Sequence, residues 1–156
     1  MVDSSTTFKS YNYVQATANL ATSGVVPAEE FRRIAQAGYR AVGNLLPDQS
    51  QYALRGEAAI VTSLGMMYIH IPVAFESPTI DEFDEFRAAM NAHSESPVWV
   101  HCAANKRVSV FVALYGQLEL GWSTDQAKNL IKEVWEPTDP WISLSEDILA
   151  REREAI

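Results

Sequence analysis

The chain has 156 residues, 47% hydrophobic and 21% charged, enough for one domain (1–156) with a sizeable core. Twelve Lys and Arg stand against 20 Asp and Glu, a formal net charge of −8 that argues against broad binding to nucleic acid or to anionic membrane. No apolar stretch approaches a membrane span, and Met1–Phe8 lacks the basic start and apolar run of a secretory leader. The lone cysteine permits no internal disulfide, so a reducing cytoplasm is the expected setting. His70, His93, His101 and Cys102 lack the spacing of a zinc site.

In chain order, Tyr11–Val14 and Asn19–Ala21 read as short edge strands. Pro27 opens a helix at its first position, with Glu29 and Glu30 in the first turn, Phe31, Ile34 and Ala35 inward, and Gly38 at its end. Tyr39–Leu46 reads as a strand closed by Pro47-Asp48. A second helix spans about 53–64 and stops at Gly65, and Met67–Ile71 is a strand closed by Pro72. Thr79, with Glu82 three residues on, forms a capping box for a helix presenting Ile80, Phe83, Phe86 and Met90 to the core. Val98–Val100 is a short apolar run that reads as a buried strand. The helix after it carries Val108, Phe111, Val112, Tyr115 and Leu118 on one stripe and ends near Gly121. Ser123 and Gln126 form another capping box, ahead of an apolar face of Ala127, Leu130, Ile131, Val134 and Trp135. A last helix covers about 140–153. Strands separated by helices predict an α/β fold, a mainly parallel central sheet of about four or five strands flanked by helices on both faces.

Cys102 falls in the turn between the Val98–Val100 strand and the following helix. Backbone N–H groups converge in such a turn and the helix dipole favours negative charge, a setting that suits a thiolate and a bound oxyanion. Sites in such sheets form beyond the carboxyl ends of the strands. A second strand end, Ile71-Pro72, leads into the loop 73–78. If the two strands lie near each other, Glu76 can face Cys102, and burial beside Phe75 and Pro78 would suit it to general acid work. His70 reads as a hydrogen-bonded structural histidine, Trp141 as packing, and Asp81 as a partner of a helix dipole.

His101-Cys102, followed by a basic residue and then Ser109, resembles the His-Cys-x5-Arg-Ser/Thr signature of the cysteine-dependent protein tyrosine and dual-specificity phosphatases. The similarity extends through Ser23-Gly24, Pro27–Phe31, Ala37–Val42, Asn44-Leu45, Gly65 and Tyr68–Val73, a pattern similar to a bacterial branch of small phosphatase-like domains. The resemblance implies a phosphotyrosine phosphatase-like fold and a phosphomonoester hydrolase working through a phosphocysteine intermediate. By it, Cys102 attacks phosphorus. The loop Ala103, Ala104, Asn105, Lys106, Arg107 and Val108 holds a phosphate- or sulfate-type oxyanion, with Arg107 stabilising the transition state. Glu76 protonates the leaving oxygen, Ser109 donates to the sulfur, and His101 orients the loop from behind through backbone hydrogen bonds. It implies a phosphorylated substrate, phosphotyrosine or a small phosphomonoester, with no metal and no organic cofactor.

The chain departs from that signature in one respect. The family arginine belongs six residues after the cysteine, where Val108 stands, and Arg107 gives Cys-x4-Arg instead. Either the loop has closed up by one residue, with Arg107 gripping the oxyanion, or it keeps its length and Val108 fills the arginine place. Asn105, at the usual glycine position, tolerates a left-handed backbone. Sulfurtransferases of the rhodanese type use a cysteine loop one residue shorter than the phosphatase loop, so a persulfide carrier is a second expectation. A catalytically inactive phosphate-binding module is a third.

Overall fold

The computed structural model describes residues 2–155. Met1 and Ile156, which the single-domain reading takes in, lie outside the described residues, as does the Met1 end of the leader reading. The described residues form five strands and six helices: β1 (Val14–Thr17), β2 (Leu20–Ser23), α1 (Glu30–Gln36), β3 (Ala41–Asn44), α2 (Glu57–Ser63), β4 (Met67–His70), α3 (Ile80–Ala92), β5 (Val98–His101), α4 (Lys106–Glu119), α5 (Thr124–Val134) and α6 (Asp139–Glu154). The strands make one sheet in the order β1-β2-β5-β3-β4, parallel except for β1, which runs antiparallel to β2.

Burial follows position in the sheet. Every residue of β2, β3 and β5 is buried, as strands covered on both faces require, whereas the edge strands β1 and β4 are only partly covered. Alternation along the strands sends Ala21, Val42 and Trp99 to one face, where they meet Phe31 and Ile34 of α1 and Val61 of α2. Ala41, Val98 and Val100 point to the other, against Phe83, Phe86, Phe111, Leu130, Trp141 and Ile148. Helices therefore cover both faces. Thr79 and Ser123 cap α3 and α5 with complete capping boxes, as their spacing predicts.

Several boundaries differ from the sequence reading. Tyr11–Tyr13 is a turn rather than strand, because Tyr13 lies flat on Trp99, ring centroids 5.2 Å apart, and pairing starts only at Val14. β2 is an interior strand, since β5 pairs along its other side. α1 starts at Glu30, three residues after Pro27, and Glu30 is buried, accepting from the Lys9 N–H and the Ser10 hydroxyl instead of facing solvent. α2 starts at Glu57, because Gly56 adopts φ +78° and the chain before it runs through turns.

Candidate active site

The centre of the site is the end of β5. Its neighbours β2 and β3 hold the strand on both sides, and Cys102 N–H donates to the Ser23 carbonyl at 3.2 Å, one step beyond the last ladder pair. The chain then turns. Asn105 takes φ +67° as the N-cap of α4, and the helix starts at Lys106. No side chain caps this helix, so its first-turn N–H groups keep their donor capacity on the loop side.

Two neighbouring segments shape the turn. Gly24 lies directly against it: Val25 N–H donates to the Ala103 carbonyl at 2.9 Å, and a Cβ on Gly24 would stand 2.4 Å from that oxygen. Asn12, also at positive φ, donates through Nδ2 to the Ala104 carbonyl at 3.1 Å, while Asn105 Nδ2 donates to the Asn12 carbonyl at 2.8 Å and to Thr22 Oγ1 at 3.0 Å. Asn105 is fully buried, and its Oδ1 accepts no hydrogen bond from the described residues. These residues fix the curvature of the loop, and Asn12 and Thr22 gave no local signal of it because their partners lie 92 and 83 residues away.

Of the expected site residues, Cys102 through Arg107 form one turn. The Val108 side chain is fully buried, in the same core cluster as Cys102, Val110 and Phe111. Arg107 Nε–H donates to the Val73 carbonyl at 2.8 Å, and its guanidinium carbon lies 5.2 Å from the centre of the Phe75 ring, which leaves four of its N–H donors uncommitted by that bond. Lys106 Nζ sits 5.9 Å from the Phe75 ring and 5.5 Å from the Trp135 ring. The loop after β4 thus meets the start of α4 even though β3 lies between β4 and β5.

Three expectations about surroundings change. Cys102 is fully buried and belongs to the apolar core with Ile71, Val73 and Val108, so its sulfur presents no open face. The half-buried residues that follow it are Ala103, Ala104, Lys106 and Arg107. Glu76 is exposed, so the apolar burial expected from Phe75 and Pro78 is absent. The Ser109 hydroxyl donates to the Lys106 carbonyl at 2.9 Å instead of to the sulfur, and accepts from Trp135 Nε1 at 3.1 Å. Trp141 packs as expected, fully buried, its Nε1 donating to the Phe75 carbonyl at 2.8 Å.

Behind the loop lies a pair that no sequence pattern indicated. His101 and Glu57, both nearly fully buried, meet Nε2 to Oε2 at 2.6 Å, while His101 Nδ1 faces the Cys102 carbonyl at 3.4 Å. Glu57 also borders a polar cavity of about 560 Å³ with Asn44, Asp48, Arg55, Tyr68 and His70. Burial pushes the Tyr68 phenol up to about 12, with the Asn44 amide donating to its oxygen as the opposing influence. His70 Nε2 lies 2.8 Å from the Leu46 carbonyl, the structural role its place in a strand suggests.

Comparison with known proteins agrees with this architecture. The family model "Beta-lactamase hydrolase-like protein, phosphatase-like domain" matches residues 12–119. Beta-lactamase hydrolase-like proteins from two strains of Xylella fastidiosa are 31% identical over 120 residues, 75% of this chain and 28% of theirs, so the chain spans little more than a quarter of those relatives. A candidate phosphatase of the DUF442 family from Shewanella putrefaciens superposes with a TM-score of 0.83 at 34% identity, over 90% of this chain and 93% of that one. TpbA from P. aeruginosa, solved with phosphotyrosine, has the same fold, with a TM-score of 0.64 at 17% identity over 78% of this chain and 72% of that one. With the strand, cysteine turn and helix all inside the matched stretch, the chain belongs to the phosphatase-like domain family of the beta-lactamase hydrolase-like proteins.

Proposed function

We propose that the chain is a cysteine-dependent phosphomonoester hydrolase. The observation that carries this is Cys102 at the β5–α4 turn, four residues ahead of a helix start that no side chain caps. A tetrahedral oxyanion seated over the turn accepts from the first-turn amides, and the sulfur below it lies opposite the leaving group. In the reaction, Cys102 thiolate forms the S–P bond as the P–O bond to the leaving group breaks, and Glu76 supplies the proton to the departing oxygen. Water then attacks phosphorus, returns the proton to Glu76 and releases phosphate, restoring the thiolate. Arg107 and Lys106 flank the loop and supply positive charge to the equatorial oxygens. Val73 and Phe75, which hold Arg107, share their loop with Glu76, so one segment sets both the cation and the acid.

The phosphotyrosine-bound neighbour and the aromatic wall of Phe75 and Trp135 beside Lys106 support an aryl phosphate substrate. The protein is expected to hydrolyse para-nitrophenyl phosphate, and Cys102→Ser to abolish turnover; robust hydrolysis by the serine variant would remove Cys102 as nucleophile.

A second reading has its own observation. Val108 lies in the core and Arg107 stands in the first turn of α4, an arrangement that supports a loop of the shorter rhodanese type. Under that reading the Cys102 thiolate bonds to the outer sulfur of a donor such as thiosulfate, whose own S–S bond breaks to release sulfite, and Cys102 carries the persulfide. Sulfur uptake from thiosulfate by a chain inert toward aryl phosphate would favour it. A chain that does neither yet binds phosphate would be an oxyanion-binding module.

A further inference from the structure

We propose that Glu57 is a positioning residue that, through His101, aims a loop amide at the oxyanion. The inference rests on reading the Cys102 loop as an oxyanion site. The two ring nitrogens of His101 face two acceptors, the Glu57 carboxylate at 2.6 Å and the Cys102 carbonyl at 3.4 Å. A proton on Nδ1 lets the ring donate to the Cys102 carbonyl, while Nε2 and the Glu57 carboxyl share a proton between them. Glu57 is thus the hydrogen-bond partner that a buried imidazole requires, and it fixes the orientation of the ring.

The consequence falls on the Cys102–Ala103 peptide. Successive strand residues point to opposite faces: His101 packs toward Phe31 on the α1 side of the sheet, and Cys102 joins the core on the α4 side. A trans peptide points its C=O and its N–H in opposite directions, and the described residues contain no cis bond. Holding the Cys102 carbonyl toward His101 therefore turns the Ala103 N–H toward the thiol side, where an oxyanion would lie. That N–H finds no acceptor among the described residues. Glu57 thus acts at two removes, through a ring and a peptide plane, without touching substrate.

The test uses the full chain. Nitrogen-15 spectra of labelled histidine, with His101→Asn to assign the signals among three histidines, are expected to show a proton on His101 Nδ1, the nitrogen that faces the Cys102 carbonyl. Inorganic tungstate serves as the oxyanion probe. Glu57→Leu keeps the burial but offers Nε2 no partner, so a role in packing alone would survive it, and Glu57→Gln restores a partner. The expected result is roughly 10-fold weaker tungstate binding in Glu57→Leu, the scale of one hydrogen bond, with partial recovery in Glu57→Gln. A His101 Nδ1 that carries no proton in the unmutated chain overturns the inference, whatever the variants do, and so does a Glu57→Leu protein that binds tungstate as the parent does. Failure of the parent to hydrolyse aryl phosphate would sink the hydrolase reading alone, because ring protonation and tungstate affinity are both read without turnover.

Discussion

Gly24 shows how narrow the tolerance around the loop is. A Cβ at this position would meet the Ala103 carbonyl oxygen at 2.4 Å and Ala104 Cα at 2.9 Å, both backbone atoms, so the loop itself must shift. Gly24→Ala is expected to cost about 1–3 kcal/mol, the usual scale of overpacking, and to lower aryl phosphate turnover beyond what the fall in folded fraction explains. Thermal unfolding and kcat/KM on the same preparation check this, and an unchanged kcat/KM would mean the loop yields without consequence. Individual residues were unevenly legible in the sequence. Cys102 and the left-handed Asn105 followed from local context, one from its strand-to-helix turn and the other from a side chain that tolerates positive φ. Glu57 did not, because a helix read over about 53–64 places it inside the helix with no pattern to single it out, and its histidine lies 44 residues away. The exposure of Glu76 was equally hidden: how deep a loop sits depends on what packs against it.

Among the elements, α3 and α6 are tied by a two-pronged bond between Arg151 and Asp84, at 2.8 and 3.0 Å. Hydrogen bonding to Arg151 holds the Asp84 carboxyl below its ordinary value of 3.8, against a smaller desolvation effect in the other direction. A depressed carboxylate contributes stability that is present above its unfolded pKa and is lost as pH falls through the folded one. Both side chains are more than a third exposed, so the pair is worth about 0.5 kcal/mol. Asp84→Asn is expected to lower the urea midpoint slightly at pH 7, with the difference from the parent shrinking as pH drops below 3.8; a gap that persists in acid would point to packing instead. Helix starts written as capping boxes, at Thr79 and Ser123, were read at the right residue because the signal spans three positions. The starts of α1 and α2 were placed early, because Pro27 and Ala53 fit a first turn while the real onset depends on Glu30 and Glu57 being drawn into the interior.

At the level of the whole molecule, the N-terminal arm joins the far face of the sheet to the loop. Phe8 meets Trp99 edge-on at 4.8 Å and Tyr13 at 5.5 Å, Ser10 and Lys9 bind Glu30, and Asn12 then reaches Ala104. Phe8→Ala is expected to cost about 1–3 kcal/mol, reduced from a full core truncation because the ring is half-buried, and to weaken tungstate binding through a loosened Asn12. Calorimetry and tungstate titration would separate the two effects, and a lower melting temperature with unchanged affinity would uncouple the arm from the loop. The layered α/β arrangement was readable from the alternation of apolar strands and amphipathic helices. The arm's route across Trp99 was not, since aromatic stacking over long sequence separations leaves no periodic trace.

The bond from the Trp135 indole to Ser109 has an optical corollary. Ser109 in turn grips the Lys106 carbonyl, so this chromophore is anchored to the scaffold of the turn it overlooks. The chain carries an intrinsic emission probe there, and a rearrangement of the turn that broke the anchor would alter the polarity around that ring and hence the colour of its light, with no dye attached.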